Sequence, residues 1–176
     1  MKILIAYSTK NGTVRTCVER LLSGLHNLEA DAVDLDQTTP DVDQYDIVLV
    51  GASVYFGKLR PAARKFLEQN EVLLAKKSLG LFLCCGLAHD YEYYVEKCFP
   101  QSLREVAFQT LYFGGLLKVE NCSLTDRILL HSMRSRILEE EFDDGEYTLT
   151  LPGILPESID KMATYVRVEY TRLAAQ

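Results

Sequence analysis

The sequence has no Cys-x-x-Cys pair, no Gly-x-Gly-x-x-Gly run and no surplus of basic residues. Each absence removes a class of protein. The five cysteines (Cys17, Cys84, Cys85, Cys98 and Cys122) are an odd set in a chain of 176 residues. A chain of this length needs no disulfide framework, so they read as reduced thiols in a cytoplasm. Cys84 and Cys85 are neighbours, a spacing that rarely meets disulfide geometry, and read as buried strand thiols. A formal net charge of -6 offers no basic face to a phosphate backbone, which excludes a nucleic-acid binder. It is also mild for an acidic docking protein. No apolar stretch approaches the length of a membrane span, and the run after Met1-Lys2 is too short for a signal peptide. The expectation is a cytoplasmic protein.

Nucleotide motifs are missing as well. Without the glycine fingerprint there is no dinucleotide site. The stretch from Gly51 to Leu59 imitates a P-loop, but one residue too many separates its glycines. Leu59 also stands where magnesium would need Ser or Thr. Tyr7 and Ser8 follow the first apolar run, where a phosphoacceptor domain would want an acidic pair.

What is present alternates between two periods. Ile3 to Tyr7 reads as a buried strand. Val14, Cys17, Val18, Leu21, Leu22, Leu25 and Leu28 then recur at spacings of three and four, a helix. Gly24 lies inside it at a cost of about 1 kcal/mol against Ala, which implies close packing there. Further strands are expected at Ala32 to Leu35, Asp46 to Ala52, Leu79 to Cys85 and Phe108 to Leu116. Pro61 suits the first turn of a helix burying Ala62, Phe66, Leu67 and Leu73 or Leu74. A short helix is expected around Tyr91 to Cys98, and a last one from about Pro156 to Leu173.

Uniformly apolar strands alternating with helices imply a parallel sheet covered on both faces. Right-handed crossovers leave few arrangements. Five strands in this length fit an α/β three-layer sandwich of order 2-1-3-4-5, whose ligands bind at the carboxyl ends of strands one and three. Neither a linker nor a repeat appears, so a single domain over residues 1–176 is expected.

The loop Ser8-Thr9-Lys10-Asn11-Gly12-Thr13 lies at that carboxyl edge. It is polar, free of acids, and leads into a helix start, where free N–H groups and the helix dipole favour an anion. Gly12 permits close backbone approach. The plainer alternative is that Asn11 or Thr13 simply caps the helix.

This loop resembles the FMN phosphate loop of flavodoxins. Gly51-Ala52-Ser53-Val54-Tyr55-Phe56-Gly57 resembles the Gly-Ala-Ser-x-x-Tyr-Gly segment of menaquinone-dependent protoporphyrinogen oxidases, bacterial flavodoxin-like enzymes of haem synthesis. Cys84-Cys85-Gly86-Leu87-Ala88-His89 leaves strand four where that fold closes over the flavin. The resemblance extends over essentially the whole chain, with the three loops in order.

It implies a flavodoxin-like fold with an insertion splitting strand five, and FMN as cofactor. The phosphate would lie on Ser8, Thr9, Lys10, Asn11, Gly12 and Thr13. Ser53, Val54, Tyr55, Phe56 and Gly57 would face the ring, with Tyr55 or Phe56 stacked on it and the other in the core. Cys85, Gly86, Leu87, Ala88 and His89 would face the pyrimidine. For His89 and Asp90 the alternative is a surface histidine and a helix cap. No general base and no metal site are assigned.

The insertion occupies about residues 117–146, followed by a strand-like Tyr147 to Leu151. It contains a helical pattern from Ser123, with Leu124, Ile128, Leu129, Met133 and Ile137 on one side. Arg127, Arg134 and Arg136 lie on its other surfaces, and Glu139 to Asp144 is acidic. Such a helix would complete the local core, dock an anionic substrate or a quinone, or touch a membrane surface peripherally. The acidic run departs from the strongly basic insertion associated with the haem-pathway enzymes, which bears on the substrate and not on the FMN site. The function implied is an FMN-dependent dehydrogenase with protoporphyrinogen IX as candidate substrate and a quinone as acceptor. The alternatives are a flavodoxin that carries electrons between redox proteins, and a fold relative that has lost FMN and binds a partner.

Overall fold

The computed structural model describes residues 1–55, 57–86, 91–115 and 153–176. Strand β1 (Ile3–Ser8) is buried along its entire length. It leads into helix α1 (Thr13–Gly24), which buries Thr13, Val14, Cys17, Val18 and Leu21. The helix stops short of Leu28: Leu25 is its C-cap, and Asn27 takes a left-handed φ of 71°. After β2 (Ala30–Asp34) come β3 (Ile47–Tyr55), a two-residue β4 (Lys58–Leu59) and α2 (Pro61–Leu74). Pro61 opens α2 as expected, although Ala63 rather than Ala62 joins Phe66, Leu67 and Leu74 as fully buried. Then follow β5 (Ser78–Cys84), α3 (Tyr91–Cys98), α4 (Gln101–Val106), β6 (Gln109–Tyr112) and α5 (Pro156–Ala174).

The parallel strands run in the order β2-β1-β3-β5-β6, with β4 attached antiparallel to β3. Setting that hairpin strand aside, this is the expected 2-1-3-4-5. Alternate residues of each central strand feed two cores, because successive side chains point to opposite faces. Ile3, Ile5, Ile47, Leu49 and Phe82 pack with α1 and α5. Leu4, Ala6, Val48, Val50, Leu81 and Leu83 pack on the other side with α2 and α4. Each fully buried Leu or Ile contributes about 1.5–3 kcal/mol, so both faces of the sheet must be covered.

Close approaches explain two glycines. A Cβ on Gly24 would stand 2.8 Å from the Ala163 Cβ, so this residue lets α1 and α5 pack closely, as its position predicted. Arg167 of α5 donates to the Gly24 and His26 carbonyls at 2.8–3.0 Å, placing a cation at the carboxyl end of α1 where the helix dipole favours one. A Cβ on Gly51 would run into the Phe82 ring, which stacks on Phe113 at 4.5 Å.

Cys84 and Cys85 are buried and not bonded to each other, as expected for strand thiols. Instead Cys84 meets Cys17 of α1, sulfur to sulfur, at 3.8 Å. Cys122, Leu116, the strand expected at 147–151 and the whole insertion at 117–146 lie outside the described residues. The described residues on either side of it, however, meet. Gly114 and Ile154 form an antiparallel bridge, and Leu155 donates its N–H to the Phe113 carbonyl at 2.9 Å. Among the described residues, no helix is long and apolar enough to cross a membrane.

Candidate functional site

Register places three loop starts side by side at the carboxyl edge. Ser8 of β1 pairs with Ala52 of β3, and Ser53 of β3 pairs with Cys84 of β5. The loops after β1, β3 and β5 therefore share one rim, where ligands bind in open α/β sheets.

The first loop turns at Gly12, whose φ of 81° lies in the left-handed region that favours glycine. Gly12 is the N-cap of α1. No side chain caps the helix, and its first turn holds no acid. Neither Asn11 nor Thr13 acts as the cap that the plainer sequence reading allowed. Thr9 Oγ1 instead accepts the Gly12 N–H at 3.1 Å, which folds the loop on itself. Lys10 is exposed, Thr9, Asn11 and Gly12 are half-buried, and Thr13 is buried. Nothing lies within 4 Å of where a Gly12 Cβ would stand, so the loop opens onto free space there.

The Ser8 hydroxyl, expected on the phosphate, is engaged within the chain. It is fully buried, and its hydroxyl donates to Asp36 Oδ2 at 2.7 Å while accepting from Arg60 Nε at 3.0 Å. Asp36 also accepts the Thr9 N–H at 3.2 Å and pairs with Arg60 Nη2 at 2.8 Å. Burial alone would raise the Asp36 carboxyl, but the bonds from Arg60 and Ser8 outweigh it and hold the group below the usual carboxylate range. The sequence reading missed both partners. Asp36 follows β2 and Arg60 is the N-cap of α2, and no local pattern links either to Ser8.

The second loop is a hairpin. Val54 pairs with Leu59 and Tyr55 with Lys58, and Gly57 turns the chain with φ 69°. Val54 packs into the α2-side core. Gly57 faces α3, with Lys97 and Tyr94 3.5–3.7 Å from where its Cβ would stand. The Tyr55 side chain and Phe56, the two stacking candidates, lie outside what is described. Ser53 Oγ is buried without a hydrogen-bond partner. Such a group costs about 1–3 kcal/mol unless something arrives to bond it.

The third loop starts from buried Cys84 and Cys85 and half-buried Gly86, whereas Leu87, Ala88, His89 and Asp90 lie outside the described residues. Cys85 donates its N–H to the Gly114 carbonyl at 3.1 Å, and its own carbonyl accepts from the Tyr112 hydroxyl at 2.7 Å. These two bonds tie the root of the insertion to this rim. The rings of Tyr91 and Tyr112 meet at 5.4 Å. Burial pushes the Tyr91 hydroxyl up to about 12 and raises Tyr112 too, so both stay neutral near pH 7. Arg127, Arg134 and Arg136 lie outside the described residues. Among the described residues, no group of three or more His, Cys, Asp or Glu is placed to hold a metal ion.

Comparison with known proteins agrees with the fold. A Flavodoxin domain family matches residues 4–143. The chain belongs to that family. Protoporphyrinogen IX dehydrogenase [quinone] from Escherichia coli (strain K12) is 32% identical over 77 residues. The match takes in 42% of this chain and 42% of that enzyme, so less than half of the enzyme's length is matched. A Fusobacterium nucleatum flavodoxin bound to flavin mononucleotide superposes with a TM-score of 0.53 at 12% identity, over 96% of this chain and 98% of that one. Oxidised Flavodoxin 1 from Bacillus cereus superposes with a TM-score of 0.52 at 14% identity, over 81% of this chain and 100% of the other. At these identities the two flavodoxins speak for the fold alone.

The rim fits an FMN. The loop from Thr9 to Thr13 has no acid and leads into a helix whose N-cap is a glycine and whose first turn holds no acid, which suits a phosphate. Ser53, in the loop expected to face the ring, has a buried hydroxyl without a partner.

Proposed function

We propose that the chain is an FMN-dependent oxidoreductase that takes hydrogen from an organic substrate and passes the electrons to a quinone. Protoporphyrinogen IX is the candidate substrate. The observation that carries the reading is the juncture at the rim. Gly115 donates its N–H to the Gly153 carbonyl and the neighbouring Gly114 carbonyl accepts from Cys85, so the described residues on either side of 116–152 meet at the rim where the flavin edge would lie. A carrier needs that edge open to another protein, whereas an enzyme gains from chain that excludes water and positions a substrate. The likeness to a quinone-linked protoporphyrinogen dehydrogenase over 77 residues supports the same choice.

FMN, when bound, supplies the two-electron chemistry that no side chain has. The chain's own part is placement. Thr9, Lys10, Asn11, Gly12 and Thr13 would hold the phosphate, and Ser53 would bond a polar edge of the ring. Tyr55 or Phe56 would cover one ring face, and Cys85 to His89 would face the pyrimidine. Arg127, Arg134 and Arg136, between those flanks in sequence, would clamp substrate carboxylates.

The purified protein should show an oxidised-flavin visible spectrum. The deciding assay is anaerobic protoporphyrinogen oxidation with menaquinone, read by porphyrin fluorescence. Replacing the three arginines by Gln should leave FMN binding intact and lower turnover at least about tenfold, equivalent to 1.4 kcal/mol in the transition state. An FMN-loaded protein that shows no turnover yet exchanges electrons rapidly with a flavoprotein reductase is a carrier.

A further inference from the structure

Asp36 and Arg60 touch the first residues of the phosphate loop, yet neither has a part in the proposed reaction. Three kinds of donor converge on the one carboxylate. The Ser8 hydroxyl reaches Asp36 Oδ2 at 2.7 Å and the Thr9 N–H reaches the same oxygen at 3.2 Å. The Arg60 guanidinium spans both oxygens, Nη2 to Oδ1 at 2.8 Å and Nε to Oδ2 at 3.3 Å. A hydroxyl, a loop N–H and a guanidinium fork are also what a phosphate monoester recruits from a protein. Here the chain's own carboxylate has them, and Ser8 is sealed beneath it with no exposed surface.

We propose that Asp36 is a built-in anion of the phosphate loop, competing with the cofactor's phosphoryl group for the Thr9 N–H and Arg60, and that Arg60 is the cation over which they compete. The inference rests on the FMN reading and deepens it, because it names what sets selectivity for the phosphorylated flavin. The Arg60 and Asp36 side chains are only 21% and 28% exposed, so their charges act on the loop with limited screening. The neighbouring pair Arg15–Asp34, at 3.0 Å, is self-neutralising and stays in place.

A charge argument separates this role from a mere brace. Asp36→Asn leaves the Arg60 charge unneutralised beside the loop and strengthens its hold on an anion. Arg60→Gln leaves the Asp36 charge uncompensated and weakens it. A pair that only braced the loop would lose phosphate affinity in both variants. Opposite signs are therefore the signature.

The experiment titrates wild type, Asp36→Asn and Arg60→Gln with FMN and with riboflavin, following flavin fluorescence, with thermal melts as a control for folding. Asp36→Asn should raise the preference for FMN over riboflavin by about threefold or more, and Arg60→Gln should lower it by about tenfold. Riboflavin affinity, which lacks the phosphate, should stay within about twofold of wild type. A shift of the preference in the same direction in both variants, or in neither, overturns the proposal. If Arg60→Gln does not fold, Asp36→Asn decides alone, and an unchanged or reduced preference overturns it. A wild type that binds neither flavin sinks the FMN reading and this inference with it. A wild type that binds FMN while the variants shift together sinks the inference only.

Discussion

The loop after β1 and the hairpin after β3 leave the sheet side by side, yet one is tied down and the other is left incomplete. In the first, Ser8, Thr9 and Gly12 all have partners within the chain, from Asp36, Arg60 and Thr9 itself. In the second, the Ser53 hydroxyl is buried with none. The difference follows from what each would hold. A charged phosphate gains most from donors fixed before it arrives, since little entropy is then lost in ordering them. A flat, mostly apolar ring needs a slot of the right shape and a few polar groups to orient it. On the proposed reading, one loop is built for charge and the other for shape.

The sharpest way to break the ring end alone is at the root of the insertion. A Cβ on Gly115 would run into the Cys85 carbonyl, a backbone atom that cannot swing aside. Gly115→Ala should therefore lower stability by about 3 kcal/mol in chemical denaturation, at the severe end for overpacking. FMN and riboflavin should then weaken together, leaving their ratio unchanged. Wild-type stability would mean that the rim yields more easily than its bonds to Gly114 imply.

Gly12→Val breaks the phosphate end. Space is not the obstacle there; the left-handed φ of 81° is, and it costs a β-branched residue about 1–3 kcal/mol or forces the loop to change. FMN should weaken by several kcal/mol if the loop loses two or three hydrogen bonds to a charged group, while riboflavin is spared. Undiminished FMN affinity would place the phosphate elsewhere.

Ser53→Ala sharpens the contrast with a smaller effect. Removing an unpartnered buried hydroxyl should leave the unliganded protein as stable as before, or up to about 1 kcal/mol more so. Flavin should bind about fivefold more weakly, the worth of one neutral hydrogen bond. Equal flavin affinity would show that the ring does not reach Ser53.

The smallest expected change is in acid. The Asp36 carboxyl is held below its usual value, so its contribution to stability is complete above the unfolded value of about 4 and is lost as pH falls through the lowered folded value. Asp36→Asn should flatten that part of the stability profile, measured by denaturant titration between neutral pH and the acid limb. Glu169, lowered chiefly by Arg172, loses its contribution in the same direction and remains in the variant as an internal control. An acid limb unchanged in Asp36→Asn would show that the carboxylate gains nothing from Arg60 and Ser8.

The strands and long helices were readable because their signal is local. Ile3 to Tyr7 and Asp46 to Ala52 are apolar on both faces, and α1 repeats its buried residues every three or four positions, so burial alone dictates each element. Gly24 could be read as a close approach because a glycine in a helix needs a reason. The β4 strand and α4 left no such trace. Two residues cannot show alternation, and the six of Gln101–Val106 are too few to show a period. The polar, acid-free composition of the loop after β1 was legible in the sequence, whereas the bond that holds the Ser8 hydroxyl on Asp36 was not.

By itself, then, the sequence determined the period of each element, the parallel sheet that those periods require, and the polar loop at a helix start. These depend on neighbours along the chain. Only the tertiary structure decided which distant residues meet at the rim. Asp36 follows an outer strand and Arg60 opens the helix after the central one; the order β2-β1-β3 brings both to Ser8. The same holds for Gly153 returning beside Gly115 and for Cys17 meeting Cys84. Those contacts follow from strand order and register, which the packing of the entire sheet fixes and no stretch of residues encodes alone.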